Sequence, residues 1–139
     1  MKLSFTITSK NECLPFIKEI SHSIMRLYGL NYDDTKKMQL AIEEASINSV
    51  RHAYGPGEDG VIEMTFNLED NKFSVVIKDY GKGIDPDRLK VYDVNDVDSI
   101  ASVSGRGFFL MQAMMDEFEI NSTPGMGTRI HISKHVRRK

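Results

Sequence analysis

The stretch EEASINSVRHAY, residues 43–54, decides how the chain is read. Glu44, Asn48 and Arg51 fall three and four positions apart, so on a helix their side chains project from neighbouring turns of one face. Such an alignment marks either a solvated edge or a site. Met38, Ala41, Ile42 and Ala45 form an apolar stripe, and Leu40, Ile47, Val50 and Tyr54 add a second apolar edge. That pattern predicts a helix covered on more than one side, where charge is costly unless it is paired or used. Asp33 or Asp34 is the expected N-cap, and the helix should run to about Tyr54, ahead of the breaker string GPGEDG.

Outward from this helix the periodicity alternates between two types. Leu3, Phe5 and Ile7 alternate with Ser4, Thr6 and Thr8, the period of a half-buried strand. From Leu14 the apolar residues Ile17, Ile20, Ile24 and Leu27 recur at helical spacing, with Pro15 in the first turns and an end near Gly29. Downstream, Ile62, Met64, Phe66 and Leu68 face one way. Asp70 and Asn71 turn the chain, and Phe73, Val75 and Ile77 return it as a hairpin that stops at DYGKGI.

Residues 85–104 are acidic and small, without a sustained period, and read as a long loop. A third helix is expected from about Gly107 to Asp116, with Met111, Met114 and Met115 as core packing. Strands Glu117 to Ser122 and Thr128 to Ser133, joined by TPGMG, complete the set. The expected fold is α+β: a two-layer sandwich in which three helices cover one face of a mostly antiparallel, mixed sheet, all within one domain spanning residues 1–139.

Composition excludes several classes. The 139 residues are 40% hydrophobic and 27% charged, which suits one globular core. A net charge of -2 exerts no general pull on nucleic acid or anionic lipid, and the basic tail His135 to Lys139 reads as a solvated terminus. Cys13 is the single cysteine, so no intrachain disulfide or multi-cysteine metal site can form. The start LSFTITSKNE is too polar for a signal-peptide apolar region and no run of about 18 apolar residues occurs, so a cytoplasmic protein without membrane association is expected.

The remaining glycines cluster in DYGKGI (79–84), SGRGF (104–108) and GMGT (125–128). Taken singly, Asp79 could be a turn cap and TPGMGT an ordinary hairpin turn. SGRGFFLM leads glycine-flanked backbone straight into a helix, whose N-terminal N–H groups suit a phosphate. It lacks the lysine and Ser/Thr pair of a P-loop, and no strand leads into it as the dinucleotide fingerprint requires.

In order, EEASIN, DYGKGI, SGRGF and GMGT resemble the N box and the first, second and third glycine boxes of the Bergerat-fold ATPases, the superfamily of DNA gyrase, the MutL repair protein and histidine kinases. The resemblance covers roughly residues 35–132. The short chain, the N-terminal strand and helix, and SVRHAY after the asparagine resemble the bacterial anti-sigma-factor serine/threonine protein kinases, the partner-switching kinases.

That resemblance implies a role for each residue. Asn48 would hold Mg²⁺ through its side-chain oxygen, and Glu44 would accept the proton of the attacking hydroxyl. Arg51 or His52 would lie beside the phosphates of ATP. Asp79 would accept a hydrogen bond from the adenine amine, supported through water by Thr128, with Gly81 and Gly83 letting the ring lie on backbone and Ile84 packing on it. Ser104, Gly105, Arg106, Gly107 and Phe108 would cradle the phosphates beneath a flexible ATP lid at about 85–104.

Two features depart from the pattern. Arg106 stands where the family often has a smaller or apolar residue, so it would touch the triphosphate or face solvent. Asp85, Asp87, Asp93, Asp96 and Asp98 would repel a triphosphate, so they are expected to point outward, toward a partner.

The implied activity is phosphorylation of a serine of an anti-sigma-factor antagonist, together with sequestration of a sigma factor, by a homodimer that makes no direct nucleic-acid contact. Two alternatives remain: an ATP-binding regulatory module without transfer, and a stand-alone histidine-kinase catalytic domain using His22. Against the second, Ser23 rather than an acidic residue follows His22, and only one helix precedes the ATP-site helix.

Overall fold

The computed structural model describes residues 1–55, 58–83 and 112–137. Strand β1 (Lys2–Thr8) leads through a 3₁₀ turn, Asn11–Cys13, into helices α1 (Leu14–Leu27) and α2 (Tyr32–His52). Strands β2 (Val61–Glu69), β3 (Lys72–Asp79), β4 (Glu117–Thr123) and β5 (Gly127–His135) follow. The sheet order is β1-β2-β3-β5-β4. Every neighbouring pair is antiparallel, so among the described residues the sheet is not mixed as the sequence suggests. The β2–β3 hairpin turns on Asp70 and Asn71, both in left-handed backbone (φ 52 and 60), a conformation that Asp and Asn tolerate better than other side chains.

Alternation buries one face of the sheet. Ile62, Met64, Phe66, Phe73, Val75, Ile77, Ile130 and Ile132 are all fully buried against the helices. Phe66 stacks on Phe5 at 5.8 Å and packs at a tilt on Phe73 at 6.2 Å, and Tyr28 meets Phe73 edge-on at 5.7 Å. Full burial of such side chains is worth about 1.5–3 kcal/mol each, which makes this layer the main source of stability.

Helix α2 is pinned to the sheet at both ends. Its N-cap is Asn31, whose side chain accepts from the Asp34 N–H at 2.8 Å, rather than Asp33 or Asp34 as expected. The physical reason is that Asp34 is itself buried in another task, accepting from the Arg137 N–H at 2.7 Å beyond the end of β5. The helix ends at His52, two residues early. Met38, Ala41, Ile42 and Ala45 are fully buried and Val50 nearly so, while Leu40, on the second apolar edge, remains half exposed. Of the expected third helix, residues 107–111 lie outside the described residues, and residues 112–114 are helical. Met114 and Met115 pack on the core, and Met111 lies outside the described residues.

Candidate functional site

The C-terminal ends of α2 and β3 meet the start of β5 at one edge of the sandwich. There Asp79, the last residue of β3, is 1% exposed and stands opposite Thr128 in register. Its Oδ1 accepts the Gly81 N–H at 3.0 Å and the Thr128 N–H at 3.2 Å, and its Oδ2 accepts the Ser49 hydroxyl at 3.1 Å. The bond to Gly81 is the turn cap that sequence allows. Burial pushes the Asp79 carboxyl above its ordinary value, and the bonds from Gly81, Ser49 and Thr128 oppose that rise. A carboxylate offers about four acceptor positions, so three donors leave one on Oδ2.

Backbone packs tightly around this carboxylate. A Cβ on Gly81 would sit 1.9 Å from the Ala53 carbonyl oxygen, the same oxygen that accepts the Lys82 N–H at 2.7 Å. Gly127, at φ +101, would place a Cβ 2.1 Å from the Asp79 carbonyl oxygen. These glycines are therefore dictated by backbone-on-backbone packing between the β3 end, the β4–β5 hairpin and the end of α2. Thr128 is buried, and its hydroxyl is shared with Ser122 at 2.9 Å.

Ser49, which sequence reasoning does not name, and Tyr54, which it reads only as part of an apolar edge, hold this corner. Ser49 extends the buried stripe one turn beyond Ala45, and a hydroxyl at such a position needs a partner, which is the signal that could have found it. Tyr54 accepts the Tyr80 N–H at 2.9 Å and the Val61 N–H at 3.2 Å and donates to the Val61 carbonyl at 2.6 Å. Its ring fills the space a Cβ would need at Gly60. One hydroxyl thus ties the starts of β2 and of the post-β3 loop to the end of α2.

The other sequence-derived residues lie along α2. Glu43 turns toward α1 and pairs with Lys18 at 3.5 Å, whereas Glu44 and Asn48 are half-buried on another face. Among the described residues no side-chain partner engages the Glu44 carboxylate or the Asn48 amide. Arg51 and His52 are exposed in the last turn, where positive charge favours the helix dipole. Gly83 joins the packed corner through Lys82, whose carbonyl accepts the Gly125 N–H at 2.8 Å. Ile84, Ser104, Gly105, Arg106, Gly107, Phe108 and the lid at 85–104 lie outside the described residues.

The described residues thus place a buried, hydrogen-bonded aspartate at a strand end, beside a helix whose Glu44 and Asn48 have no side-chain partner among the described residues. Residues 7–134 match the histidine kinase-like ATPase domain, and the chain belongs to that family. Within it, the chain is 30% identical over 138 residues to an anti-sigma F factor of Caldanaerobacter subterraneus, covering 99% of this chain and 94% of that protein. It is also 30% identical to the serine-protein kinase RsbW of Bacillus thuringiensis, covering 87% of that protein. Among solved structures, the RsbU and RsbW domains of a Mycobacterium tuberculosis protein superpose on 100% of this chain with a TM-score of 0.74 at 17% identity, a likeness of fold. This chain spans 33% of that one.

Proposed function

We propose that the chain is an ATP-dependent protein serine kinase and anti-sigma factor, which transfers a phosphoryl group to a serine of an antagonist protein and sequesters a sigma factor. The single observation that carries the nucleotide reading is the Asp79 carboxylate, buried and held by three donors with one acceptor position left on Oδ2. Adenine presents an exocyclic amine at that point of the ring and guanine does not, so this carboxylate selects ATP over GTP. The packed glycine corner holds the acceptor in place before ligand arrives, which lowers the ordering cost of binding.

Glu44 and Asn48 carry the chemistry. A half-buried amide oxygen one turn from a carboxylate, neither engaged by a side chain among the described residues, is a hard-oxygen donor set that suits Mg²⁺. Asn48 is the residue that would hold the ion, which when bound neutralises charge on the transferred phosphoryl group. Glu44 accepts the proton of the serine hydroxyl as its oxygen bonds to the γ-phosphorus and the bond to the β-phosphate oxygen breaks, releasing ADP. Arg51 or His52 stabilises phosphate charge from the helix end. Ile84 packs on the ring, and Ser104, Gly105, Arg106, Gly107 and Phe108 cradle the phosphates beneath the lid. The kinase works in the cytoplasm as a homodimer.

The test is transfer of labelled γ-phosphate from ATP to candidate antagonist proteins. Acid-stable label on serine, absent with GTP and absent in Glu44→Ala and Asn48→Ala, is the expected result. Tight ATP binding with no transfer to any antagonist would replace this reading with a non-catalytic regulatory module.

A further inference from the structure

The face of the sheet turned away from α1 and α2 carries a second group of ligands, three residues along β5 from the Asp79 partner Thr128. Glu119 and His131 stand directly opposite each other on β4 and β5, and Glu117 lies two residues along β4 on the same face. One donor atom from each of Glu117, Glu119 and His131 lies within 4.8 Å of the others. Glu117 uses Oε1 on the Lys72 ammonium of β3, which leaves Oε2.

A second observation falls on the same face. Ser133, between His131 and His135 on β5 and paired in register with Glu117, is fully buried, and its hydroxyl has no hydrogen-bond partner among the described residues. A buried hydroxyl left without a partner is costly, so it points to a group that supplies one. A water carried by a cation on the ligands of the same face would supply one.

We propose that Glu117, Glu119 and His131 form a binding site for a divalent transition metal of the zinc class, clasping β4 to β5. Carboxylate oxygen and imidazole nitrogen are both zinc ligands, and three protein ligands with a water in the fourth position complete its tetrahedron. The imidazole selects against Mg²⁺, which prefers oxygen alone, so the site is distinct in metal preference as well as place from Asn48. Because the ligands join an edge strand to its neighbour, bound metal stabilises the folded state by mass action.

The experiment is calorimetric titration of the full chain with ZnCl₂ in the absence of nucleotide, paired with thermal unfolding, for wild type, Glu119→Gln and His131→Gln. Glu119 is exposed and His131 half-buried on the face turned away from α1 and α2, so the metal-free variants should unfold at the wild-type temperature. Loss of an outer-shell group weakens metal binding about 10–100-fold, and loss of a ligand should cost at least tenfold. One equivalent of zinc bound by wild type, weakened at least tenfold in each variant and not displaced by excess Mg²⁺, is the expected outcome. No saturable binding near one equivalent, unchanged affinity in both variants, or displacement by Mg²⁺ would overturn the assignment.

Discussion

The two halves of the candidate site are built on opposite principles. At the Asp79 corner every polar group has protein partners: Oδ1 holds two backbone N–H groups, Oδ2 holds Ser49, and the Tyr54 hydroxyl makes three bonds. On α2, Glu44 and Asn48 are half-buried with no side-chain partner among the described residues. The corner is thus part of the folded architecture, whereas the helix face contributes little to holding the chain together. Substitutions should separate the two, changing stability at one and activity at the other.

The largest expected effect falls on the helix face. Glu44→Gln keeps the size of the side chain and removes the proposed base, so phosphoryl transfer should drop about 10²–10⁴-fold while the unfolding temperature stays at the wild-type value. A fall in stability of comparable weight would mean that Glu44 belongs to the architecture after all.

Gly81→Ala attacks the corner instead. Its Cβ must displace the Ala53 carbonyl, a rigid backbone atom 1.9 Å away, so denaturant unfolding should show a loss of about 3 kcal/mol, the upper end of overpacking costs.

Asp79→Asn cuts across the comparison, because an amide oxygen can keep both backbone bonds while the Oδ2 acceptor proposed for adenine is lost. ATP affinity measured by calorimetry should fall about 10–100-fold, the weight of a hydrogen bond to a charged group. Stability should respond to pH in a definite sense. A raised folded-state value means that the folded chain holds this proton more readily than the unfolded one. Asp79 therefore favours folding at low pH, and that contribution is lost as pH rises through its folded value. Asp79→Asn should accordingly gain stability relative to wild type as pH rises above the ordinary aspartate range. Wild-type ATP affinity should weaken on acidification through the same window. Ser49→Ala, which removes one donor from a carboxylate that keeps two, should cost about 1 kcal/mol and little else.

How much of this was legible in the sequence follows from the same contrast. Strand alternation marked Ile62, Met64 and Phe66 as inward, and the Asp70–Asn71 turn as a hairpin, because both depend on local pattern. The α2 cap was misplaced because Asp34 is held by Arg137, a contact 103 residues away that no local rule contains. The face shared by Glu44, Asn48 and Arg51 was readable from spacing alone. The partnership of Ser49 with Asp79 was not, since it joins elements 30 residues apart. Gly81 could be read as a glycine suited to a ligand, but the reason it must be glycine is the Ala53 carbonyl, visible only in three dimensions.

The most direct test of the division between architecture and chemistry is a single-turnover transfer assay on Glu44→Gln, with ATP saturating and an antagonist protein as acceptor. Loss of serine phosphorylation by at least about 10²-fold, with ATP affinity and unfolding temperature unchanged, is the predicted result. Transfer at the wild-type rate would contradict the assignment of Glu44 as the base.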